Sequence, residues 1–266
     1  MSGPDAGASV DDLLDLAHEL ADVADAITLP AFRGQLDVRT KADGTWVTAA
    51  DEQVERTLRE HILARFPEHA ILGEEEGHQG PPGAPVWVID PIDGTTNFVR
   101  GNPIFATLIA LQVGGEELVG VVSAPALGTR WDGVQGGPAH QDGRRIGVSS
   151  RTALSEAEIA FGGLDYFAAK GLDALVPRLS RLTQRQRGYG DFWQHCLVAS
   201  GSTDIAIEAE VNLWDLAAVK VVVEAAGGRF SSLAGQRTAD GGDALSTNGH
   251  LHDQVLALIA ELREAP

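Results

Sequence analysis

Apolar positions recur along this chain with two different periods. Val10, Leu13, Leu14, Ala17, Leu20, Ala21, Ala24 and Ile27 follow one another at helical spacing. Ser9 and Asp12 read as a capping pair at the start of that helix, and Pro30 marks its end. The stretch Val38–Thr48 is turn-bearing, with Asp43-Gly44 as a hairpin signal. A second helix is predicted from about Ala49 to Arg65, with Val54, Leu58, Ile62 and Leu63 inward and Pro67 as its stop. Ala70-Ile71-Leu72-Gly73 is a short strand ending at Glu74-Glu75-Glu76. A Gly/Pro-rich loop follows from Gly77 to Pro85, and then the apolar strand Val86–Ile89.

From Ile104 to Val148 the pattern is strands and turns, which predicts an antiparallel meander. After Ser149 the rhythm changes. Strands at Glu158–Phe161, Arg187–Gly190, Thr203–Ile207, Arg229–Ser232 and Ala244–Asn248 alternate with helices at Leu172–Leu182, Phe192–Ser200, Trp214–Ala226 and His252–Leu262. This is an α/β rhythm. It divides the chain into residues 1–8, small and polar and expected to be disordered, an N-terminal α+β lobe over 9–148, and a C-terminal α/β lobe over 149–266.

Charge narrows the range of functions. The formal net charge of −18 argues against a nucleic-acid groove and against docking on anionic lipid, both of which need a basic face. No apolar stretch is long enough to span a bilayer, and the N-terminus carries no basic region followed by an apolar core, so a cytoplasmic protein is expected. Cys196 is the single cysteine, so no intrachain disulfide forms; in its apolar helical setting it reads as a buried, inert thiol. His140, His195, His250 and His252 lack zinc-like spacing with cysteine and read as surface or core residues.

The densest chemistry lies in Val86-Trp87-Val88-Ile89-Asp90-Pro91-Ile92-Asp93-Gly94-Thr95-Thr96-Asn97. An apolar strand ends at two carboxylates and a Gly-Thr-Thr turn, where hard oxygen ligands and free amides can meet a cation and a phosphate. Three further acidic stations fit the same site: Asp51 at a helix start, Glu74-Glu75, and Asp215 at the start of another apolar helix. Each also has a plain reading. Asp215 can be a helix N-cap, the glutamates a solvated loop, and Asp93-Gly94 a type I′ turn. Haloacid-dehalogenase-type phosphatases use Asp-x-Asp-Gly-Thr. Here Pro91 and Ile92 separate the carboxylates, a spacing that suits convergence on metal ions better than a nucleophile and its acid partner.

These segments resemble the inositol monophosphatase family of magnesium-dependent, lithium-sensitive phosphatases. The resemblance is carried by Gly73-Glu74-Glu75, Trp87–Asn97, Trp214-Asp215-Leu216-Ala217-Ala218 with Glu224-Ala225-Ala226-Gly227-Gly228, and Lys41 with Asp43, Val47, Thr48 and Asp51. It covers residues from about 10 to 262 in the family's order. It implies a layered αβαβα fold, a homodimer, and two to three Mg²⁺ per site. Glu74, Asp90 and the Ile92 carbonyl would hold one ion, and Asp90, Asp93 and Asp215 a second. A weaker third would sit near Glu74, reached through water from Asp51. Thr95 with Asp51 would orient the attacking water, and the amides of Gly94 and Thr95 would bind phosphate oxygens. Attack would be in line, without a phosphoenzyme. Lys41 stays open between an active-site charge and a surface residue. A non-catalytic protein on this fold would have lost a ligand, and none is lost here.

The metal motif does not select the ester. In this family substrate contacts map, beside Asp93, to the segment holding Arg187 and Asp191 and to Glu208. The added carboxylate at Asp191 suits a cationic leaving group, as in histidinol, which carries an ammonium and an imidazole. Asn97-Phe98-Val99-Arg100-Gly101 and Tyr189-Gly190-Asp191-Phe192 look like the actinobacterial histidinol-phosphate phosphatases of this type. Alternatively, Asp191 pairs with Arg187 or caps the next helix, Glu208 is a strand-end surface residue, and the enzyme acts on inositol or sugar phosphates.

Overall fold

Helix α1 (Val10–Ala31) begins as its sequence implies. The Ser9 hydroxyl accepts the Asp12 amide at 3.1 Å and the Asp12 carboxylate accepts the Ser9 amide at 2.8 Å. The computed structural model describes residues 8–42 and 44–264. The expected disorder over 1–8 therefore lies outside the described residues except at Ala8, which packs against the core under α1. Strands β1 (Val38–Thr40) and β2 (Trp46–Thr48) form the expected hairpin, although Asp43 itself is outside the described residues. Helix α2 (Ala49–Arg65) follows directly. Strand β3 (Ala70–Gly73) turns back into β4 (Gly77–Gln79), so the first part of the expected 77–85 loop is a strand. Gly77, at φ 67°, makes that tight reversal around the three glutamates possible.

Strand β5 (Val86–Asp93) and the short helix α3 (Thr95–Val99) lead into the meander of β6 (Ala106–Val113), β7 (Glu116–Ala124), β8 (Thr129–Val134), β9 (Ala139–Gln141) and β10 (Arg144–Arg145). Eight strands form one sheet in the order β10-β9-β8-β7-β6-β5-β3-β4, antiparallel except for β3 beside β5. The second half supplies β11 (Glu158–Phe161), α4 (Leu164–Ala169), α5 (Leu175–Leu182), β12 (Arg185–Arg187), α6 (Asp191–Ala199), β13 (Ile205–Glu208), α7 (Leu213–Ala225), β14 (Arg229–Ser231), β15 (Ala244–Thr247) and α8 (His252–Glu264). Its five strands run β12-β11-β13-β15-β14, parallel around β11 and antiparallel around β15. Helix α4 was not foreseen, because six residues are too few to display a helical period.

The layers stack as α, β, α, β, α. Leu13, Leu16, Leu20, Val54, Leu58 and Ile62 of α1 and α2 cover one face of the large sheet. Helices α6 and α7 fill the space between the two sheets, with Cys196, Val219, Val222 and Val223 packed against Val88, Leu108 and Val122 on one side and Phe230 on the other. Helices α5 and α8 cover the outer face of the small sheet through Leu175, Leu179, Val255 and Ile259. Burying apolar surface on both sides of both sheets is the main stabilising term.

Strand β5 runs four residues beyond its expected end. Asp90 pairs with Leu108 and Asp93 with Ala106, so Pro91 and Ile92 lie opposite Thr107 alone. This is a β-bulge. The bulge tolerates Pro91, which has no amide to give the ladder, and the Thr107 hydroxyl donates to the Pro91 carbonyl at 2.8 Å. In a regular strand residues three apart point to opposite faces. One extra residue restores the parity and turns Asp90 and Asp93 toward the same side.

Candidate active site

Five elements converge on β5 at its bulged end: the turn after β3 and the first turns of α2, α3, α6 and α7. Carboxylate oxygens of Asp90, Asp93 and Asp215 lie within 4.8 Å of one another. Each of these side chains gives its other binding capacity to the backbone. Asp90 Oδ1 accepts the Ile92 amide at 3.0 Å, Asp93 Oδ2 the Phe192 amide at 2.6 Å, and Asp215 Oδ2 the Asn212 amide at 2.7 Å. Asp215 is therefore not the N-cap of α7, a place that Asn212 takes, but its third residue: it closes a capping box back onto Asn212 and is a member of the acidic cluster at once. Glu74 reaches the cluster because β3 and β5 run parallel, with Gly73 opposite Ile89 and the Glu74 amide donating to the Ile89 carbonyl at 3.3 Å.

Burial foremost, then the charges of Glu74, Asp93 and Asp215, raises the Asp90 pKa well above the usual carboxylate range. Asp93 is raised well above it too, by burial and then by Asp191 and Asp215. Asp215 is pushed up to about 6, mainly by burial, against the pull of the Asn212 amide. Lys41 ion-pairs with Glu74 and Glu75, each at 2.7 Å, and not with these three aspartates. Its ammonium faces the site from the β1–β2 hairpin rather than bulk solvent. Burial opposes its charge, but the two glutamates outweigh that and raise its pKa. Crowded anionic oxygens, each braced by an amide, are the donor set of a hard divalent cation.

Asp51 stands third in α2 and closes a capping box. Its Oδ2 accepts the Thr48 amide at 2.8 Å and the Thr48 hydroxyl at 2.5 Å. Oδ1 is left for Thr95, whose hydroxyl lies 3.4 Å from it and 2.9 Å from the Ile92 carbonyl. Asp51 is fully buried, and burial is the chief reason that its pKa is pushed up to about 6. Gly94 holds φ 80° at the turn into α3, a conformation open to glycine, and leaves room for Asp191 close by.

The remaining predicted residues separate. Asp191 opens α6 at φ 52°, unusual for a residue with a side chain, and its Oδ2 accepts Asn97 Nδ2 at 2.9 Å. Burial pushes it up to about 6 against that hydrogen bond. It does not pair with Arg187 and stands inside the helix rather than at its cap. Arg187 is exposed on edge strand β12 and donates to the Gln186 carbonyl at 2.7 Å. Glu208 is not a surface residue: it is buried at the end of β13 and hydrogen-bonded by Gln194. Burial, then Asp191 and Asp215, raises its pKa well above the usual range. Cys196 is buried in α6, and burial raises its thiol pKa.

Several site residues escaped sequence reasoning. Glu55 is fully buried and its carboxylate accepts the amides of Glu75 and Glu76 at 2.7 and 2.9 Å, shaping the turn that carries Glu74. Arg59 holds Glu55 at 2.7 Å, and a Cβ on Gly73 would fall 2.1 Å from the Glu55 carboxylate. The available signal was Glu55 and Arg59 at i and i+4 beside the apolar stripe of α2. Asn97 and Gln194 gave no comparable signal. Tyr166 of α4 lies within electrostatic reach of Glu208 and Asp191.

Residues 9–265 match the model of the inositol monophosphatase family. A histidinol-phosphatase of Streptomyces coelicolor is 44% identical over 259 residues, covering 93% of this chain and 97% of that protein. A histidinol-phosphatase of Mycobacterium tuberculosis is 48% identical over 255 residues, with the same 93% and 97% coverage. The solved structure of a Thermotoga maritima IMPase superposes with a TM-score of 0.85 at 31% identity, covering 95% of this chain and 98% of that one.

Proposed function

The chain belongs to the inositol monophosphatase family and is a phosphoric monoester hydrolase, and from that premise we propose that it hydrolyses L-histidinol phosphate to L-histidinol and inorganic phosphate. Glu74, Asp90 and the Ile92 carbonyl would hold one Mg²⁺, Asp90, Asp93 and Asp215 a second, and the surroundings of Glu74 and Asp51 a weaker third. Bound Mg²⁺ neutralises the phosphate dianion and makes a water molecule more acidic at neutral pH.

The chain's own groups do the rest. The Thr95 hydroxyl is shared between the Ile92 carbonyl and Asp51 Oδ1. Turned toward Asp51 it donates there, and its own oxygen is free to accept a proton from the attacking water. The new bond joins that water oxygen to phosphorus as the bond to the ester oxygen breaks; the water's proton passes through the Thr95 hydroxyl to Asp51, and the ester oxygen takes a proton from solvent water as the alcohol leaves. The amides of Gly94 and Thr95 bind phosphate oxygens at the start of α3.

The observation that carries the substrate choice is the pair Asp191 and Glu208. Both are carboxylates held by neutral amides, Asn97 and Gln194, rather than by a lysine or arginine. Two anionic groups whose charge is not cancelled suit an amine-bearing leaving group better than a polyol. Arg187, exposed on β12, stays in the proposal as a substrate contact. The competing reading is an inositol or sugar-phosphate phosphatase, favoured by the fold shared with the Thermotoga maritima IMPase.

The test is phosphate release with Mg²⁺ from L-histidinol phosphate, inositol 1-phosphate, fructose 1,6-bisphosphate and phosphoadenosine phosphate, ranked by kcat/KM. We expect a preference of about a hundredfold for histidinol phosphate, roughly 2.7 kcal/mol of discrimination. Asp191→Ala is expected to lower that activity far more than activity on inositol phosphate; equal losses would overturn the amine-recognition reading. Lithium inhibition in the same assay, a homodimer by sedimentation and a cytoplasmic location complete the proposal.

A further inference from the structure

Three groups from other segments meet the Glu208 carboxylate. From α6, the fully buried Gln194 donates its Nε2 to Glu208 Oε1 and, at 3.5 Å, to the Ile207 carbonyl. The backbone amide of Asp191 faces the same carboxylate and favours its charged form. Beside the other carboxylate oxygen, the backbone of Gly162 lies so close that a Cβ there would fall 1.9 Å from Glu208 Oε2. A residue with any side chain at 162 would push the carboxylate out of this position.

The chemistry of these supports is informative. A carboxamide donates to a carboxylate without cancelling its charge, whereas an arginine or lysine would neutralise it. Gln194 Oε1 is buried with no partner. A hydrophobic residue of the same volume would avoid that desolvated carbonyl, so the polar head is accounted for by what its amide nitrogen holds. Asn97 plays the same part for Asp191, and Asn102 Nδ2 braces Asn97 Oδ1 at 2.9 Å.

We propose that Gln194 and Gly162 are positioning residues that set the location of Glu208, and through it the preference for phosphate esters carrying an amino group over neutral ones. The inference rests on the substrate reading above and deepens it. The hydrogen bonds of Gln194 go to Glu208 and the Ile207 carbonyl and not to the acidic cluster, so it acts through Glu208. A charge-assisted hydrogen bond to an ammonium requires a short and aligned approach. A carboxylate free to rotate meets it less well, while a neutral polyol loses less.

The experiment is a double-mutant cycle on the Mg²⁺-loaded enzyme. The readout is the ratio of kcat/KM for L-histidinol phosphate to that for inositol 1-phosphate, in wild type, Gln194→Met, Glu208→Gln and the double variant. Gln194→Met is expected to lower the ratio about tenfold or more, mainly through KM for the amino ester. In the Glu208→Gln background it is expected to lower it no further. Gly162→Ala displaces the same carboxylate at its other oxygen and carries the test if Gln194→Met does not fold. If the ratio survives both Gln194→Met and Gly162→Ala while Glu208→Gln collapses it, or if the losses simply add, the positioning role is wrong and the substrate reading stands. If wild type shows no preference, or Glu208→Gln leaves it intact, the substrate reading itself fails and this inference falls with it.

Discussion

At Asp90, Asp93, Asp215 and Asp51 a single device recurs: one carboxylate oxygen accepts a backbone amide. The amide fixes the rotamer before any ligand binds, so little side-chain entropy remains to be lost on binding. An asparagine at 93 can still accept the Phe192 amide, but it then turns an NH₂ toward the cluster, where a cation has to sit. We expect Asp93→Asn to abolish phosphate release from every ester. The metal-free variant should unfold at a temperature no lower than wild type, because a buried charge among like charges has been removed. Thr95 is tested by its hydroxyl. Thr95→Ala should lower kcat by about 10²–10⁴-fold, the usual weight of positioned proton transfer. Thr95→Ser, which keeps the hydroxyl, should retain most of the activity.

Among the elements, the carboxylate stations were legible and the supports behind them were not. The helix starts marked by Ser9 with Asp12, by Asp51 and by Asp215 follow from residue types a few positions apart, a local signal, although the caps themselves are Thr48 and Asn212 for the last two. The bulge at Pro91 is local too. It shows that the spacing of Asp90 and Asp93 is a matter of strand parity, a consequence the residue order contains but the expected end of the strand at Ile89 missed. The turn after β3 is different. Its shape depends on Glu55, which lies 20 residues before Glu75 and on another element. Glu55→Ala would take from buried Arg59 its close carboxylate, leaving Glu76 at 3.6 Å, and leave the amides of Glu75 and Glu76 without their acceptor. A loss of about 3–5 kcal/mol in urea unfolding is expected. Mg²⁺ activation should also weaken about 10–100-fold, because Glu74 is no longer held in place.

For the whole molecule, α6 and α7 matter most, since they form the layer shared by both sheets. Phe192 of α6 holds Asp93 of the large sheet, and Glu208 of the small sheet meets Gln194 of α6, so the site is assembled across the layers. Concentrating acids there has a cost that pH reveals. Asp51, Asp191 and Asp215 are each pushed up to about 6, chiefly by burial. Between about pH 4, where these groups titrate in the unfolded chain, and pH 6, the native state therefore binds more protons than the unfolded state. Their contribution is fully present below that window and is lost as pH rises through it. We expect the melting temperature of EDTA-treated protein to fall from pH 4.5 to 7. Added Mg²⁺ should raise it more at pH 7 than at pH 5, since the cation takes the place of the protons. A melting temperature that rose with pH in EDTA would contradict this account.

The residue order by itself determined the helices and strands with a clear period, the antiparallel meander followed by an α/β rhythm, and the set of acidic stations with their Gly-Thr-Thr turn. All of these are written in neighbouring residues, where backbone geometry and side-chain alternation act. Only the tertiary structure decided what holds those residues. It gave Asp191 the partner Asn97, 94 positions away, in place of Arg187 four positions away. It buried Glu208 against Gln194, turned Lys41 onto Glu74 and Glu75, and set Glu55 behind the turn that carries Glu74. Such pairings depend on how distant elements pack, and an isolated polar residue carries no mark of which buried charge it will meet.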